Sequence, residues 1–262
     1  MPLTDLSQKT VFITGASSGI GLACAHAFAR HDARLIISAR RKERIEALAQ
    51  ELNRVHDTEV LTIQLDVRNQ PAVEKAVHDL PANWKDIDVL VNNAGLSRGL
   101  DKLHEGKLED WEEMIDTNIK GLLYVSRAVI PGMVTRGKGT IINIGSIAGH
   151  EVYPGGNVYC ATKFAVDALT RGLRHDLVDT PIRVCTVDPG LVETEFSVVR
   201  FRGNDQRAKT VYQNLSPLTG ADVADAVLYC VSRPPHVQIA EMIILPTNQA
   251  STSLVHRAPP VK

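Results

Sequence analysis

Tyr159-Cys160-Ala161-Thr162-Lys163 places a phenol and an ammonium four residues apart. On a helix, residues i and i+4 share a face, so the two groups would lie side by side. A neighbouring positive charge favours phenolate and draws a tyrosine down from about 10 toward working pH. A tyrosine so tuned can take a proton from an alcohol or give one to a ketone. Ser146 precedes Tyr159 by thirteen residues and follows an apolar run, a place from which its hydroxyl can hold the reacting oxygen. Asn118 falls in a helical stretch that nearby Gly121 can kink. It reads either as a helix-surface amide or as the carrier of a water that relays protons from Lys163.

A second group of residues suits a nucleotide. The run Thr14-Gly15-Ala16-Ser17-Ser18-Gly19-Ile20-Gly21 follows an apolar strand pattern and opens a helical one. Glycines there let the backbone turn tightly and approach a pyrophosphate. The helix N-terminus behind them offers unpaired N–H groups and a favourable dipole. Where an acid would grip a ribose 2′-hydroxyl, this chain has Ala39-Arg40-Arg41, and no acid lies between Asp32 and Glu43. Arginine can pair a 2′-phosphate through charge-assisted bonds, which points to NADP. The plainer alternative is a solvated helix start, although positive charge there opposes the helix dipole. Asp66-Val67, Asn92-Asn93-Ala94-Gly95 and Asp188-Pro189-Gly190 close three further strand patterns, with Thr194 four residues past Gly190. Each alone could be ordinary turn chemistry. Together they line one edge of a sheet.

These groups need a frame. Short runs rich in Val, Ile and Leu occupy 10–14, 34–38, 60–65, 89–92, 140–144, 184–187 and 241–245. Several lack polar alternation, as strands buried on both faces do. Helical patterns at 19–30, 41–54, 71–80, 108–133 and 158–178 lie between them. Alternating strands and helices predict an α/β fold: one doubly wound Rossmann-type domain over 1–262, with a parallel sheet of about seven strands and helices on both faces. Residues 192–216 are the least regular and the most charged, as a substrate lid would be, and 249–262 read as a C-terminal tail.

With 262 residues, the chain can bury a large core. A net charge of −1 lacks the basic surplus expected of a nucleic-acid binder. Cys24, Cys160, Cys185 and Cys230 form no C-x-x-C pair, and the nine histidines show no ligand spacing, so no metal is implied. Reduced thiols, no leader pattern and no bilayer-length apolar run make a cytoplasmic, non-membrane protein the expectation.

In this order, the motifs resemble the short-chain dehydrogenase/reductase superfamily. The resemblance implies a nicotinamide cofactor and a catalytic set of Asn118, Ser146, Tyr159 and Lys163, with Lys163 also on the nicotinamide ribose. It implies homotetramers built on the two long helical regions. The stretches 111–118, 153–159 and 189–197 are similar to the NADP-dependent 3-hydroxy acid dehydrogenases, a group that includes serine and allo-threonine dehydrogenases. This implies cofactor contacts that extend to Val192 and a short 3-hydroxy acid as substrate. Ser146 and Tyr159 would hold its reacting oxygen, so its carboxylate needs a cation, for which Arg98, Arg200 and Arg202 are candidates. Those arginines could equally be solvated or face another subunit. The alternatives for the whole chain are a broad NADPH-dependent carbonyl reductase and a non-catalytic NADP-binding regulator.

Overall fold

Thr10–Thr14 (β1) is buried throughout, because helices cover the sheet on both sides. Its side chains alternate: Val11 and Ile13 join one core, Phe12 the other. The computed structural model describes residues 5–258. The chain continues through α1 (Gly19–Ala29), β2 (Arg34–Ala39), α2 (Lys42–His56), β3 (Val60–Gln64), α3 (Gln70–His78) and β4 (Ile87–Asn92). Then come α4 (Leu108–Ile115), α5 (Leu122–Arg136), β5 (Thr140–Ile144), α6 (Asn157–Asp176) and β6 (Arg183–Pro189). Two short helices, α7 (Phe196–Arg200) and α8 (Asp205–Thr210), precede α9 (Gly220–Val231) and β7 (Glu241–Ile244).

The seven strands pair in parallel in the order β3-β2-β1-β4-β5-β6-β7. The chain winds outward from β1 to β3, then returns to the other side of β1 with β4. That reversal opens a crevice at the carboxyl ends of β1 and β4, the usual ligand position in such sheets. One core joins the sheet to α1, α2 and α9 through Phe28, Leu48 and Val227. The other joins it to α3 and α5 through Val73, Val129 and Met133. Each such fully buried side chain contributes roughly 1.5–3 kcal/mol.

Local chemistry sets the helix ends. Asn69 caps α3 by accepting from the Ala72 N–H, with Pro71 in the first turn. Thr219 and Asp222 form a reciprocal capping box on α9. Two caps behave otherwise. Neither Ser18, before α1, nor Arg41, before α2, makes a side-chain cap bond. Their side chains meet each other instead.

The expected doubly wound sheet is present, with three local differences. The helical region expected at 108–133 is divided into α4, a π-helical turn at Asp116–Gly121, and α5. Gly121 sits so close to Val67 that a Cβ there would lie 2.6 Å from Val67 Cγ2. Residues 192–216, expected to be irregular, contain α7 and α8. The end of the chain is held: Gln249 bridges Val255, and the Ala258 N–H donates to Asn214 O. The expected tail continues to 262, and 259–262 lie outside the described residues.

Candidate active site

The glycine loop is shaped by close approach. Gly15 has φ +68°, and a Cβ on it would lie 2.9 Å from Ala94 Cα. A Cβ on Gly21 would overlap Asn93 Nδ2. Asn93 itself ties the two turns together, donating to Thr14 O at 2.8 Å and Gly15 O at 3.2 Å. Thr14 Oγ1 accepts from the Asn93 and Ala94 N–H groups at 3.1 and 3.0 Å. Asn93 thus braces the loop with its side chain.

Arg41 reaches back across the loop. Its Nη2 donates to Ser17 Oγ at 3.0 Å and Ser18 Oγ at 2.9 Å, and its Nη1 meets Glu195 Oε2 at 3.0 Å. Arg44 meets the other Glu195 oxygen at 2.6 Å. Burial alone would raise the Glu195 carboxyl, but bonds and charge from Arg44 and Arg41 outweigh it and hold it low. Arg40 is half exposed and stands 3.9 Å from Glu113. Two hydroxyls and a guanidinium beside an open helix N-terminus fit a phosphate monoester. Asp66 is paired with Arg68 at 2.6 Å, and Val67 lines the same cleft.

The cleft holds about 560 Å³ and runs from Gly15 and Arg41 past Ala94 and Gly95 to Ser146, Tyr159 and Arg200. Ile20, Pro189, Gly190, Val192 and Thr194 line it as well. At its inner end α6 carries Tyr159 and Lys163, both buried. Lys163 Nζ donates to Ile144 O at 2.8 Å and lies 6.0 Å from the centre of the Tyr159 ring. Burial lowers Lys163 to about 8, with Asp188 opposing. The expected lowering of Tyr159 by this ammonium does not prevail. Burial pushes the phenol up, and Tyr153 adds to it, while Arg200 and the Ser146 hydroxyl pull down. Desolvation is the larger effect because the ring sits in a small core with Leu96, Met114 and Cys160.

Ser146 leads a tight turn at Ile147–Gly149, where its Oγ accepts from the Ala148 N–H at 3.1 Å. A Cβ on Gly149 would lie 2.8 Å from Lys163 O, so this turn and α6 touch backbone to backbone. Asn118 is buried in the π-helical turn, not on a helix surface. Its Oδ1 accepts from Leu96 N–H, and its Nδ2 donates to Leu96 O and Thr162 Oγ1, at 2.8, 2.8 and 3.0 Å. With the amide so engaged, a water relay at this residue would have to use the backbone carbonyl.

The three candidate arginines part company. Arg98 is locked to Glu113 at 2.7 Å and donates to Val199 O, outside the main cleft. Arg202 is paired with Asp110 away from the cleft. Arg200 enters it. Its guanidinium lies 5.4 Å from the Tyr159 ring centre and 5.0 Å from that of Phe196, and Nη2 donates to Tyr153 Oη at 3.1 Å. Its Nε is buried without a hydrogen-bond partner. Tyr153, Glu195 and Phe196 join the site as well; the sequence signal nearest to them is the pair of stretches 153–159 and 189–197 that carry the resemblance, within which no spacing gives these three a role.

A glycine loop at the switch point of a doubly wound sheet, leading to a buried tyrosine and lysine on one helix, defines a nucleotide-dependent dehydrogenase. The family model described as short chain dehydrogenase matches residues 9–205, and the chain belongs to that family. It is 50% identical over 250 residues to the NADP-dependent 3-hydroxy acid dehydrogenase YdfG of Salmonella typhi, covering 95% of this chain and 99% of that protein. It is 44% identical over 256 residues to the NADP-dependent 3-hydroxy acid dehydrogenase of Schizosaccharomyces pombe, covering 97% and 99%. The closed form of a serine dehydrogenase complexed with NADP+ superposes with a TM-score of 0.89 at 47% identity, covering 95% of this chain and all of that one.

Proposed function

We propose that the protein transfers a hydride between NADP(H) and the alcohol carbon of a short 3-hydroxy acid, such as serine, allo-threonine or 3-hydroxyisobutyrate. The observation that carries the substrate reading is Arg200: a cation with an unpartnered buried Nε, set over the tyrosine that would handle the proton. A carboxylate entering this cleft would pair with the guanidinium and offset its own desolvation. The relatives' printed activities support the same reading.

The cofactor, when bound, supplies the hydride acceptor or donor. The chain supplies the rest. In the oxidation direction Tyr159 takes the hydroxyl proton, Ser146 holds the reacting oxygen, and charged Lys163 favours the phenolate. Asn118 clamps the Leu96 turn to α6, fixing the floor on which these groups stand.

Arg41, Ser17 and Ser18 would hold the 2′-phosphate. Arg41→Ala is expected to weaken NADP+ roughly ten- to a hundredfold and leave NAD+ nearly unchanged. Arg40→Ala is expected to cost less, because Arg40 is tied to neither hydroxyl. Binding titrations of both cofactors against both variants check this; equal affinity of wild type for NADP+ and NAD+ refutes the phosphate assignment.

A homotetramer is part of the proposal. Leu108, Ile115, Leu123 and Phe164 are exposed on α4, α5 and α6, as an apolar packing surface would be. Light scattering at micromolar protein is expected to give four chains, and a monomer refutes it. The four buried free thiols support a reducing, cytoplasmic location, and no helix among the described residues is long and apolar enough to cross a membrane.

The deciding experiment is a steady-state panel of 3-hydroxy acids, neutral alcohols and sugars, run with NADP+ and NAD+ in parallel. A clear preference for 3-hydroxy acids with NADP+ is expected. Equal rates for neutral alcohols would make a broad carbonyl reductase the better description, and no turnover at all would leave an NADP-binding regulator.

A further inference from the structure

Behind Ser146 lies a second layer of charge. Asp188, at the carboxyl end of β6, is 2% exposed. Its Oδ1 accepts from the Ser146 N–H at 3.1 Å, and its Oδ2 accepts from Thr186 Oγ1 at 2.5 Å. It presses on the strand end so closely that any Cβ on Gly145 would overlap Oδ1, so Gly145 is required by the carboxylate beside it. On the far side His150 Nε2 lies 3.3 Å from Oδ2, without hydrogen-bond alignment, and Nδ1 lies 3.6 Å from Glu241 Oε1. Glu241 in turn pairs with Arg171 at 3.3 Å, and Arg171 with Asp167 at 2.9 Å.

We propose that Asp188, backed by His150, is a positioning residue: it fixes the backbone of Ser146 and sets the charge balance at Lys163. A buried carboxylate is costly unless its oxygens are engaged. This one uses Oδ1 on the segment that carries Ser146. Losing that acceptor would free the Ser146 N–H and loosen the turn against α6. The charged and titratable groups around Asp188 are His150 from the turn after β5, Glu241 from β7, Lys163 and Arg171 from α6, and Cys185 of its own strand. Burial raises the Asp188 carboxyl, while Thr186 and His150 oppose. As an anion it favours charged Lys163. The residue therefore couples a hydrogen bond at the serine to the electrostatics of the lysine.

The inference rests on the proposed proton chemistry at Tyr159, and the test separates the two. If wild-type protein turns over no substrate, that chemistry fails before Asp188 is reached. Given turnover, Asp188→Asn keeps the shape and removes the charge. Removing a negative charge lowers the pKa of its neighbours. Lys163, which Asp188 helps to keep charged, then loses its proton at lower pH, so the basic limb of the kcat–pH profile for alcohol oxidation is expected to move down. The fall in kcat is expected to be roughly tenfold, with KM much less affected. A merely structural role would lower kcat by the same factor at every pH and leave the limb in place, which overturns the proposal.

His150 provides an independent pair of variants. His150→Gln keeps a polar group against Oδ2 and is expected to keep most of wild-type kcat. His150→Leu sets the carboxylate against an apolar side chain and is expected to lose several-fold, with thermal melting used to exclude unfolding. Equal kcat in both variants removes His150 from the arrangement. Activity that depends on added Mg2+ and is lost with EDTA would make His150, Asp188 and Glu241 a cation site and overturn the positioning role.

Discussion

Tyr159→Phe is expected to lower kcat by about 10²- to 10⁴-fold, the usual worth of a positioned acid/base, while NADPH binding stays nearly intact. The substitution removes one oxygen and keeps the ring. That ring packs edge-on against Phe196, with centres 5.7 Å apart, and sits among Leu96, Met114 and Cys160. None of those contacts needs the hydroxyl, so the fold is expected to hold. The size of the effect follows from the electrostatics. Burial pushes the phenol above its ordinary range, so it releases a proton only with help from positive charge. Arg200 and Lys163 are the cations at hand. Lys163→Ala is accordingly expected to reduce the rate, and to reduce cofactor binding as well if the side chain reaches the nicotinamide ribose as the resemblance implies. Single-turnover rates and NADPH fluorescence titrations of the Phe variant check the assignment. A Phe variant with half of wild-type kcat would show that Tyr159 is not the acid/base.

The strands were legible because burial on both faces leaves only apolar runs, as in Val11-Phe12-Ile13 and Ile141-Ile142. The tight glycine loop and the placing of Tyr159 and Lys163 on one helix were legible because both follow from spacing along the chain. The rest depends on contacts across the fold. The π-helical turn at Asn118 answers to Val67, some fifty residues away, through the missing Cβ of Gly121. Arg98, just past the Asn-Asn-Ala-Gly turn, and Arg200 and Arg202, in the charged segment 192–216, look alike as carboxylate partners. Glu113 and Asp110, both from α4, take the first and third. Glu195 follows Thr194 in sequence, yet its partners Arg41 and Arg44 belong to α2 and the turn before it. Asp188 hides in a Pro-Gly turn that reads as ordinary chain reversal. Its adjacent clue is Gly145, a glycine between a strand and a serine, which has meaning once the carboxylate is seen against it.

Arg200→Met is expected to raise KM for a 3-hydroxy acid roughly ten- to a hundredfold, the loss of one or more charge-assisted bonds, and to leave KM for a neutral alcohol almost unchanged. Methionine keeps much of the length and the apolar contact with Phe196 and Tyr159 while deleting the cation. The split between substrates is the diagnostic quantity, because Arg200 also acts on Tyr159 directly. Its charge lowers the phenol. Removing a cation raises the pKa of its neighbours, so the acid limb of kcat in the oxidation direction should move up for charged and neutral substrates alike. That shift belongs to the proton step; a KM change confined to hydroxy acids belongs to the carboxylate. Arg98→Met and Arg202→Met serve as controls. Each would take from Glu113 or Asp110 its nearest cation and cost stability, with no selective effect on charged substrates. If Arg200→Met changes KM for both classes equally, Arg200 does not read the carboxylate. If Arg98→Met or Arg202→Met shows the selective effect instead, that arginine must swing into the cleft when substrate binds, and its ion pair with Glu113 or Asp110 is the contact that would have to break.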